Sequence, residues 1–325
     1  MASKFNNKIL LIVLVVLIGL FFLLRAIYEK RSAGNFKTDL IQIDSSLVNT
    51  ILLYPSAEKG AEITFTRTGN KWKVSKGELT ADADESSVHN MFGELLVLRP
   101  ERLVTRNKEK WRDFGVTDSL GTRVIMKEGK KPVLDLMVGR FDYQPGPGGY
   151  SGSGGQYGTG LTYIRLFNET DVYIVKGFLA MSFNQTFNKW RNQTFLRTNK
   201  NDINLLTFEY PADSGFIAMK SDTVWIIEGN TADSTLMVSY LNALAQKSNT
   251  QFTDNFTPVV GPDYQLTING MNMAPIILKA YRRGEMEFIL NSSLNPDSYF
   301  ISLRTGLFGT IFKSKSDFFQ PANSR

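Results

Sequence analysis

The stretch Ala61–Val74, AEITFTRTGNKWKV, contains two runs of alternating apolar and polar residues around a turn at Thr68-Gly69-Asn70. Alternation with a period of two is typical of β-strands with one buried face, so this stretch predicts a β-hairpin. Gly215–Ile227, GFIAMKSDTVWII, repeats the pattern around Ser221-Asp222. Each second strand carries a tryptophan, Trp72 or Trp225, which we interpret as the core anchor of its hairpin rather than as a platform for a sugar.

A helical pattern follows each hairpin. Apolar residues recur at i, i+3, i+4 and i+7, at Val88, Met91, Phe92 and Leu95 in the first pattern and at Met237, Tyr240, Leu241 and Leu244 in the second. An Ala-Asp pair precedes each pattern, Ala81-Asp82 and Ala232-Asp233. We expect the N-caps at Asp82 or Asp84 and at Asp233 or Ser234.

Further strands are predicted after each helix, at 121–126, 133–138, 163–166 and 172–175, and again at 264–268, 275–280, 299–303 and 309–312. A first strand is expected within 39–44 and a connecting helix at 178–196. The sequence therefore predicts an α+β fold in which a unit of β-hairpin, helix and antiparallel strands occurs twice in tandem, as repeats 59–197 and 198–325.

The N-terminal region contains sixteen consecutive apolar residues, Ile9–Leu24, ILLIVLVVLIGLFFLL. With Ala26, Ile27 and Tyr28 beyond Arg25, residues 9–28 match the roughly 20 residues that cross a bilayer as a helix. We predict a transmembrane anchor there, after a cytoplasmic tail at 1–8 and before a juxtamembrane segment at 29–58, with the bulk of the chain exported. A cleaved signal peptide is the alternative.

Charge and cysteine content exclude several classes of function. The formal net charge is +6, but most of it lies near the N-terminus, and the remainder of the chain is nearly neutral. Nucleic-acid binding is not expected, since it requires a basic surface. The chain has no cysteine, which rules out disulfides and thiolate metal sites.

The residues that carry acid–base chemistry are few. His89 is the only histidine and lies within the first helical pattern, where we assign it no catalytic task. Asp82, Asp84 and Glu85 stand at the start of that helix, where capping explains them. We therefore predict no enzyme and no catalytic, cofactor-binding or metal-binding residue, with a carboxylate-based hydrolase as the minor alternative.

A glycine-rich stretch, Pro145–Gly160 or PGPGGYSGSGGQYGTG, separates two predicted strands. It has neither the lysine of a P-loop nor the spacing of a dinucleotide fingerprint. A flexible surface loop without a specific role is one interpretation. The other is a partner-binding loop that uses Tyr143, Tyr150 and Tyr157, because tyrosine provides contact area at low entropic cost.

Several short motifs resemble those of a bacterial family known as domain of unknown function 4340. They are Ile63-Thr-Phe-Thr-Arg67 with Trp72, Ala81-Asp82 with Leu98-Arg99-Pro100, Asp113-Phe-Gly-Val116, Val138-Gly139 and Tyr163-Ile-Arg165. The resemblance covers roughly residues 60–200 well and the second copy more faintly. The glycine-rich stretch is longer than the family pattern.

The resemblance implies a non-enzymatic, single-span protein of the bacterial inner membrane whose bulk is periplasmic. Its expected partners are envelope proteins, such as the permease subunits of an ABC transporter of the gliding-motility type, for which it would be an auxiliary subunit. The alternative function is a periplasmic glycan- or ligand-binding module that uses the loop at 143–160.

Overall fold

A computed structural model describes residues 14, 16–21, 40–146 and 158–320. β-Strands predominate in these residues. The described residues up to 61 and within 90–184 form one compact unit, and the described residues within 62–89 and 185–325 form another.

The described part of the first unit contains six strands: β1 (Thr50–Tyr54), β5 (Pro100–Thr105), β6 (Thr122–Glu128), β7 (Lys131–Gln144), β8 (Thr159–Leu166) and β9 (Val172–Lys176). They pair antiparallel in the order β1-β6-β7-β8-β9-β5. Alternate residues are buried, as with Ile51 and Leu53 in β1. Gly129, with φ of 60°, supplies the left-handed conformation for the tight turn between β6 and β7.

The second unit contains the remaining strands: β2 (Ile63–Thr68), β3 (Lys71–Lys76), β4 (Leu79–Asp82), β10 (Thr194–Arg197), β11 (Ile203–Glu209), β12 (Phe216–Ser221), β13 (Val224–Ile227), β14 (Asn230–Thr231), β15 (Gln246–Ser248), β16 (Tyr264–Gly270), β17 (Ile276–Arg282), β18 (Glu287–Ser292) and β19 (Asn295–Leu303). Strands β2, β3 and β4 pair in that order. An eight-stranded antiparallel sheet has the order β14-β13-β12-β11-β16-β17-β18-β19, and β10 pairs with β15.

Within residues 40–146 and 158–320, five helices accompany the strands: α1 (Glu85–Leu96), α2 (Leu179–Phe183), α3 (Phe187–Trp190), α4 (Ser234–Leu244) and α5 (Gly309–Ile311). Short 3₁₀ turns lie at Ser56–Glu58, Lys108–Lys110, Pro211–Asp213 and Lys315–Phe318, and a π-type turn lies at Arg304–Phe308. Residues 14 and 16–21 are also helical. Helices α1 and α4 bury the apolar positions that their sequences predict.

One order of strands therefore occurs twice. The series β4-β3-β2 corresponds to β14-β13-β12, and β1-β6-β7-β8-β9 corresponds to β11-β16-β17-β18-β19. In both series a helix, α1 or α4, follows the third strand of the hairpin region. The predicted repeat boundaries at 59, 197 and 198 stay predictions.

The link between hairpin and helix is the same in both series. The amide of Ala83 donates to the carbonyl of Trp72, and the amide of Ala232 donates to the carbonyl of Trp225, each at 2.9 Å. The next residue is the N-cap. Asp84 Oδ1 accepts from the Ser87 amide at 2.7 Å, and Asp233 Oδ1 accepts from the Leu236 amide at 2.9 Å.

This link corrects the predicted alignment, because Ala83-Asp84, and not Ala81-Asp82, corresponds to Ala232-Asp233. The number of residues between the two tryptophans is nevertheless four larger than the number between the starts of the two helices. The cause is the length of the strand pair that lies between each tryptophan and its helix. Strands β3 and β4 form four residue pairs, whereas β13 and β14 form two. Two missing pairs remove four residues from the second series.

The core of the second unit lies between one face of the eight-stranded sheet and a layer formed by α4 and the C-terminal turns. Two tyrosines tie these turns to the core. Tyr240 donates its hydroxyl to the Ile311 carbonyl at 2.7 Å, and Tyr210 donates to the Lys313 carbonyl at 2.8 Å. Burial raises the pKa of both phenols above the ordinary value, which keeps them protonated and able to donate.

The predicted fold class requires correction on two points. The described residues form mainly antiparallel β-sheet rather than the predicted α+β fold. Most of the predicted anchor at 9–28 lies outside the described residues. In the part of the chain that the structure describes, no helix is long and apolar enough to cross a membrane, since such a crossing needs about 20 helical residues.

Several element predictions are also wrong. Residues 40–44 form no strand, and the first strand is β1. The predicted connecting helix at 178–196 is instead α2, α3 and β10, because Thr186 and Arg191 have extended backbone conformations that end helical structure. Residues 309–311 are helical, and the partner of β19 is β18, which has no predicted counterpart.

We predict that the two N-caps are of similar importance. Asp84→Ala and Asp233→Ala should each lower the free energy of unfolding by about 1 kcal/mol, because each leaves a helix amide without its acceptor. Urea denaturation of the two variants measures this cost. The matched Asp→Asn variants keep an acceptor and should lie close to the parent protein; a loss as large as that of the alanine variants would contradict the capping role.

Candidate functional site

The glycine-rich stretch connects two paired strands. Strands β7 and β8 are hydrogen-bonded up to the pair Gln144 and Thr159, so the intervening segment joins the ends of a hairpin. Tyr143 stands at the end of β7, partly exposed and opposite Gly160. Tyr150 and Tyr157 lie outside the described residues. The assignment of these three tyrosines to a partner-binding loop stays a prediction.

The candidate acid–base residues are either exposed or engaged in local contacts of the first hairpin and α1. His89 is exposed on α1. Asp84 caps α1, Glu85 accepts the amide of Trp72, and Asp82 lies 3.9 Å from Lys73 on the neighbouring strand. The described residues contain no group of three or more His, Asp or Glu side chains that could hold a metal ion.

The sequence motifs of the first unit converge on one buried arginine. Arg165, only 1% exposed, donates to the carbonyl of Val116 at 3.2 and 3.3 Å and also to the carbonyls of Leu166, Phe167 and Glu169. Its guanidinium lies 3.8 Å from the ring centroid of Trp111. No hydrogen bond or ion pair described for Arg165 involves a carboxylate, and burial lowers the pKa of its guanidinium from the ordinary value.

Two glycines allow the chain to close around this arginine. A Cβ on Gly139 would overlap the carbonyl oxygen of Phe114 and the side chain of Val116. Gly115 has φ of 67°, and a Cβ there would lie 2.9 Å from the Arg140 amide. The motifs Asp113–Val116, Val138-Gly139 and Tyr163–Arg165 are therefore parts of one packed cluster, and their role is to shape the first unit.

The second unit exposes a continuous apolar surface on its sheet. We call it the apolar sheet face; its members lie on β11, β12 and β13 and are Leu205, Ile217, Met219 and Ile226. Met219 stands directly between Leu205 and Ile226 in the register of the three strands. Ile217 is 52% exposed and Met219 is 53% exposed. The four side chains line a depression of about 820 Å³.

The corresponding hairpin of the first series is polar on this face. Counted from the tryptophan of each hairpin, Met219 corresponds to Thr66, Ile217 to Thr64 and Ile226 to Lys73. A solvent-facing hairpin of this architecture therefore does not require apolar side chains. Because exposed apolar clusters on soluble surfaces commonly mark binding sites, the apolar sheet face is the strongest candidate for contact with a partner protein.

A comparison with known families supports the resemblance. The sequence model of the family described as Domain of unknown function (DUF4340) matches residues 72–267. The chain belongs to this family. The match begins at Trp72 and ends on β16, so it includes the Arg165 cluster, the apolar sheet face and helix α4. No curated protein and no solved structure matches the chain.

The family membership predicted from the motifs is thus confirmed. The single-span topology and the gliding-motility association implied by the resemblance are finer details that the match does not address. Sequence reasoning also missed the apolar sheet face. Its signal was present, since the outward positions of β12 and β13 are apolar where those of β2 and β3 are threonine and lysine.

We predict that Arg165 stabilises the fold rather than binding a ligand. Arg165→Lys should lower the free energy of unfolding by about 3 kcal/mol, because an ammonium cannot reach all of the carbonyls that the guanidinium joins. Arg106→Lys is the matched control. Arg106 forms an exposed ion pair with Asp171, so its substitution should change stability by less than about 0.5 kcal/mol. Equal effects of the two substitutions would refute the prediction.

Proposed function

We propose that this protein is a non-enzymatic subunit of a bacterial envelope complex, and that it binds a partner protein through the apolar sheet face. The observation that carries the proposal is the difference between the two corresponding hairpins. In a row across β11, β12 and β13, Met219 is exposed between the half-buried Leu205 and Ile226. The first hairpin has the polar residues Thr66 and Lys73 at the positions of Met219 and Ile226.

The physical basis is the burial of apolar surface on association. Each square ångström of apolar surface removed from water contributes about 25 cal/mol, less the entropic cost of association. Met219 stands at the centre of the row and is a flexible side chain that adapts to an irregular partner surface. The proposed contact therefore depends most on Met219 and its two cross-strand neighbours.

The proposed partner is the permease of an ABC transporter, to which this chain would be an auxiliary subunit in the periplasm. The support for this partner is the resemblance carried by the motifs, which implies such an association. The apolar sheet face adds a surface of suitable chemistry for it.

Affinity purification tests the proposal. The full-length protein, recovered from gently solubilised membranes, should bring with it an ABC permease and its ATPase in near-stoichiometric amounts. Met219→Lys should reduce this recovery at least about tenfold, since a charge at the centre of an apolar contact would have to be desolvated. Thr66→Lys, at the corresponding position of the first hairpin, is the control and should leave recovery unchanged.

Recovery of the transporter at equal yield with both variants would reject the apolar sheet face as the binding site. Recovery of no partner, from membranes that retain other complexes, would favour the glycan- or ligand-binding alternative. In that case, removal of residues 147–157 should abolish ligand binding and leave the melting temperature unchanged.

A further inference from the structure

The two hairpins differ in how the amide of their tryptophan is satisfied. In the first, the amide of Trp72 donates to Glu85 Oε1 at 2.8 Å. Glu85 is the first residue of α1, and its carboxylate therefore lies over the backbone of β3. The first hairpin thus places a carboxylate directly on a tryptophan amide.

In the second hairpin this carboxylate is missing. The first residue of α4 is Ser234, which corresponds to Glu85. The carbonyl of Trp225 accepts from Ala232, just as the carbonyl of Trp72 accepts from Ala83. Since the amide and carbonyl of one strand residue point to the same side, the Trp225 amide also faces the start of its helix. Among the described residues, nothing accepts a hydrogen bond from it.

A cleft of about 230 Å³ is lined by both Trp225 and Ser234, the residues that correspond to Trp72 and Glu85. Its floor is formed by four buried apolar residues, Ile203, Trp225, Met237 and Leu241. Its rim is polar and includes Lys200, Asn201, Lys220, Thr223 and Ser234. No aspartate or glutamate lines this cleft, so the charged groups at the rim are both positive.

The acidic side chain that directly precedes Ser234 is already engaged. Asp233 accepts the Leu236 amide at 2.9 Å and the Gln320 side-chain amide at 2.8 Å. Lys200 donates to Asn242 at 2.6 Å, and an asparagine leaves its positive charge uncompensated. The cleft therefore combines an amide without an acceptor, an apolar floor and two cationic side chains.

We propose that this cleft binds a carboxylate on a short aliphatic stem, in the place that the Glu85 carboxylate occupies in the first hairpin. The carboxylate would accept the Trp225 amide, forming a charge-assisted hydrogen bond. The aliphatic stem would lie against Met237 and Leu241. Lysines at the rim favour an anion over a neutral or cationic ligand of the same shape.

The site is separate from the apolar sheet face. Trp225 and Ile226 are consecutive residues of β13, and their side chains therefore point to opposite faces of the sheet. The carboxylate has two possible sources, a small carboxylic acid or an acidic side chain of a partner protein. Both present the same chemistry to the Trp225 amide.

Tryptophan-selective ¹⁵N labelling of the full chain tests the proposal. The chain has four tryptophans, so the amide spectrum is simple, and Trp225→Phe assigns the relevant signal. Butyrate should shift the Trp225 amide in a saturable way, whereas butyramide should bind at least about tenfold more weakly because it carries no charge. The Trp72 amide, already bonded to Glu85, is the internal control and should not shift.

Substitutions at the corresponding positions Ser234 and Glu85 test the proposal without a measured affinity for butyrate. Ser234→Glu supplies the missing carboxylate from within the chain, so it should abolish the effect of butyrate and raise the melting temperature by about 2 °C. Ser234→Gln, of equal length but neutral, should have both effects more weakly, because its side-chain oxygen accepts a hydrogen bond without carrying a charge. Glu85→Ser removes the carboxylate that accepts the Trp72 amide in the first hairpin, so the Trp72 amide should become responsive to butyrate.

The sources are separated by comparing butyrate with the peptide acetyl-Ala-Glu-Ala-amide. Tighter binding of the peptide identifies a protein side chain as the ligand, and binding of butyrate alone identifies a small acid. Equal shifts with butyrate and butyramide, or a Trp225 amide that responds to neither, would overturn the proposal. So would a Ser234→Glu variant that still responds to butyrate.

Discussion

The hydrogen bond from an alanine amide to a tryptophan carbonyl fixes the start of each long helix against its hairpin. It occurs twice, between Ala83 and Trp72 and between Ala232 and Trp225, with the same length of 2.9 Å. The aspartate that follows each alanine caps the helix, so strand end and helix start are determined by two adjacent residues. Tryptophan burial, helix direction and the path of the next strands all depend on this junction.

The junction is the same in both hairpins, whereas the side chains around it differ. Glu85 closes the first junction with a carboxylate, whereas Ser234 leaves the second open beside Lys200 and Lys220. On the opposite face, Thr66 and Lys73 of the first hairpin are replaced by Met219 and Ile226 in the second. The first hairpin is thus polar, and its tryptophan amide has an acceptor within the chain. The second hairpin instead has an apolar outer face and a tryptophan amide without an acceptor.

Sequence periodicity predicted the elements whose contacts are local. Both hairpins, both long helices and burial of Trp72 and Trp225 follow from alternation or from the i, i+3, i+4 pattern. Strands β1 and β11 pair with the distant strands β6 and β16, which no local pattern indicates. Strand β18 lies between its partners β17 and β19 in the chain, but its apolar run Phe288-Ile289-Leu290 is too short to show a period. The Arg165 cluster was signalled only by short motifs, because its acceptors are carbonyls, whose positions depend on backbone geometry rather than residue type.

The two surfaces of the second hairpin have different physical requirements, which is why they can coexist on one strand. Burial of Met219 depends on area and tolerates many partner shapes, whereas the Trp225 amide requires an acceptor at a defined point. Residues 72–267, the part shared with the family, contain both. The cleft beside Trp225 is the more selective of the two binding surfaces. At the corresponding position of the first hairpin, the carboxylate of Glu85 accepts the tryptophan amide and so shows which chemical group fits there. The internal correspondence of the two hairpins therefore identifies the ligand class more sharply than the shape of the cleft does.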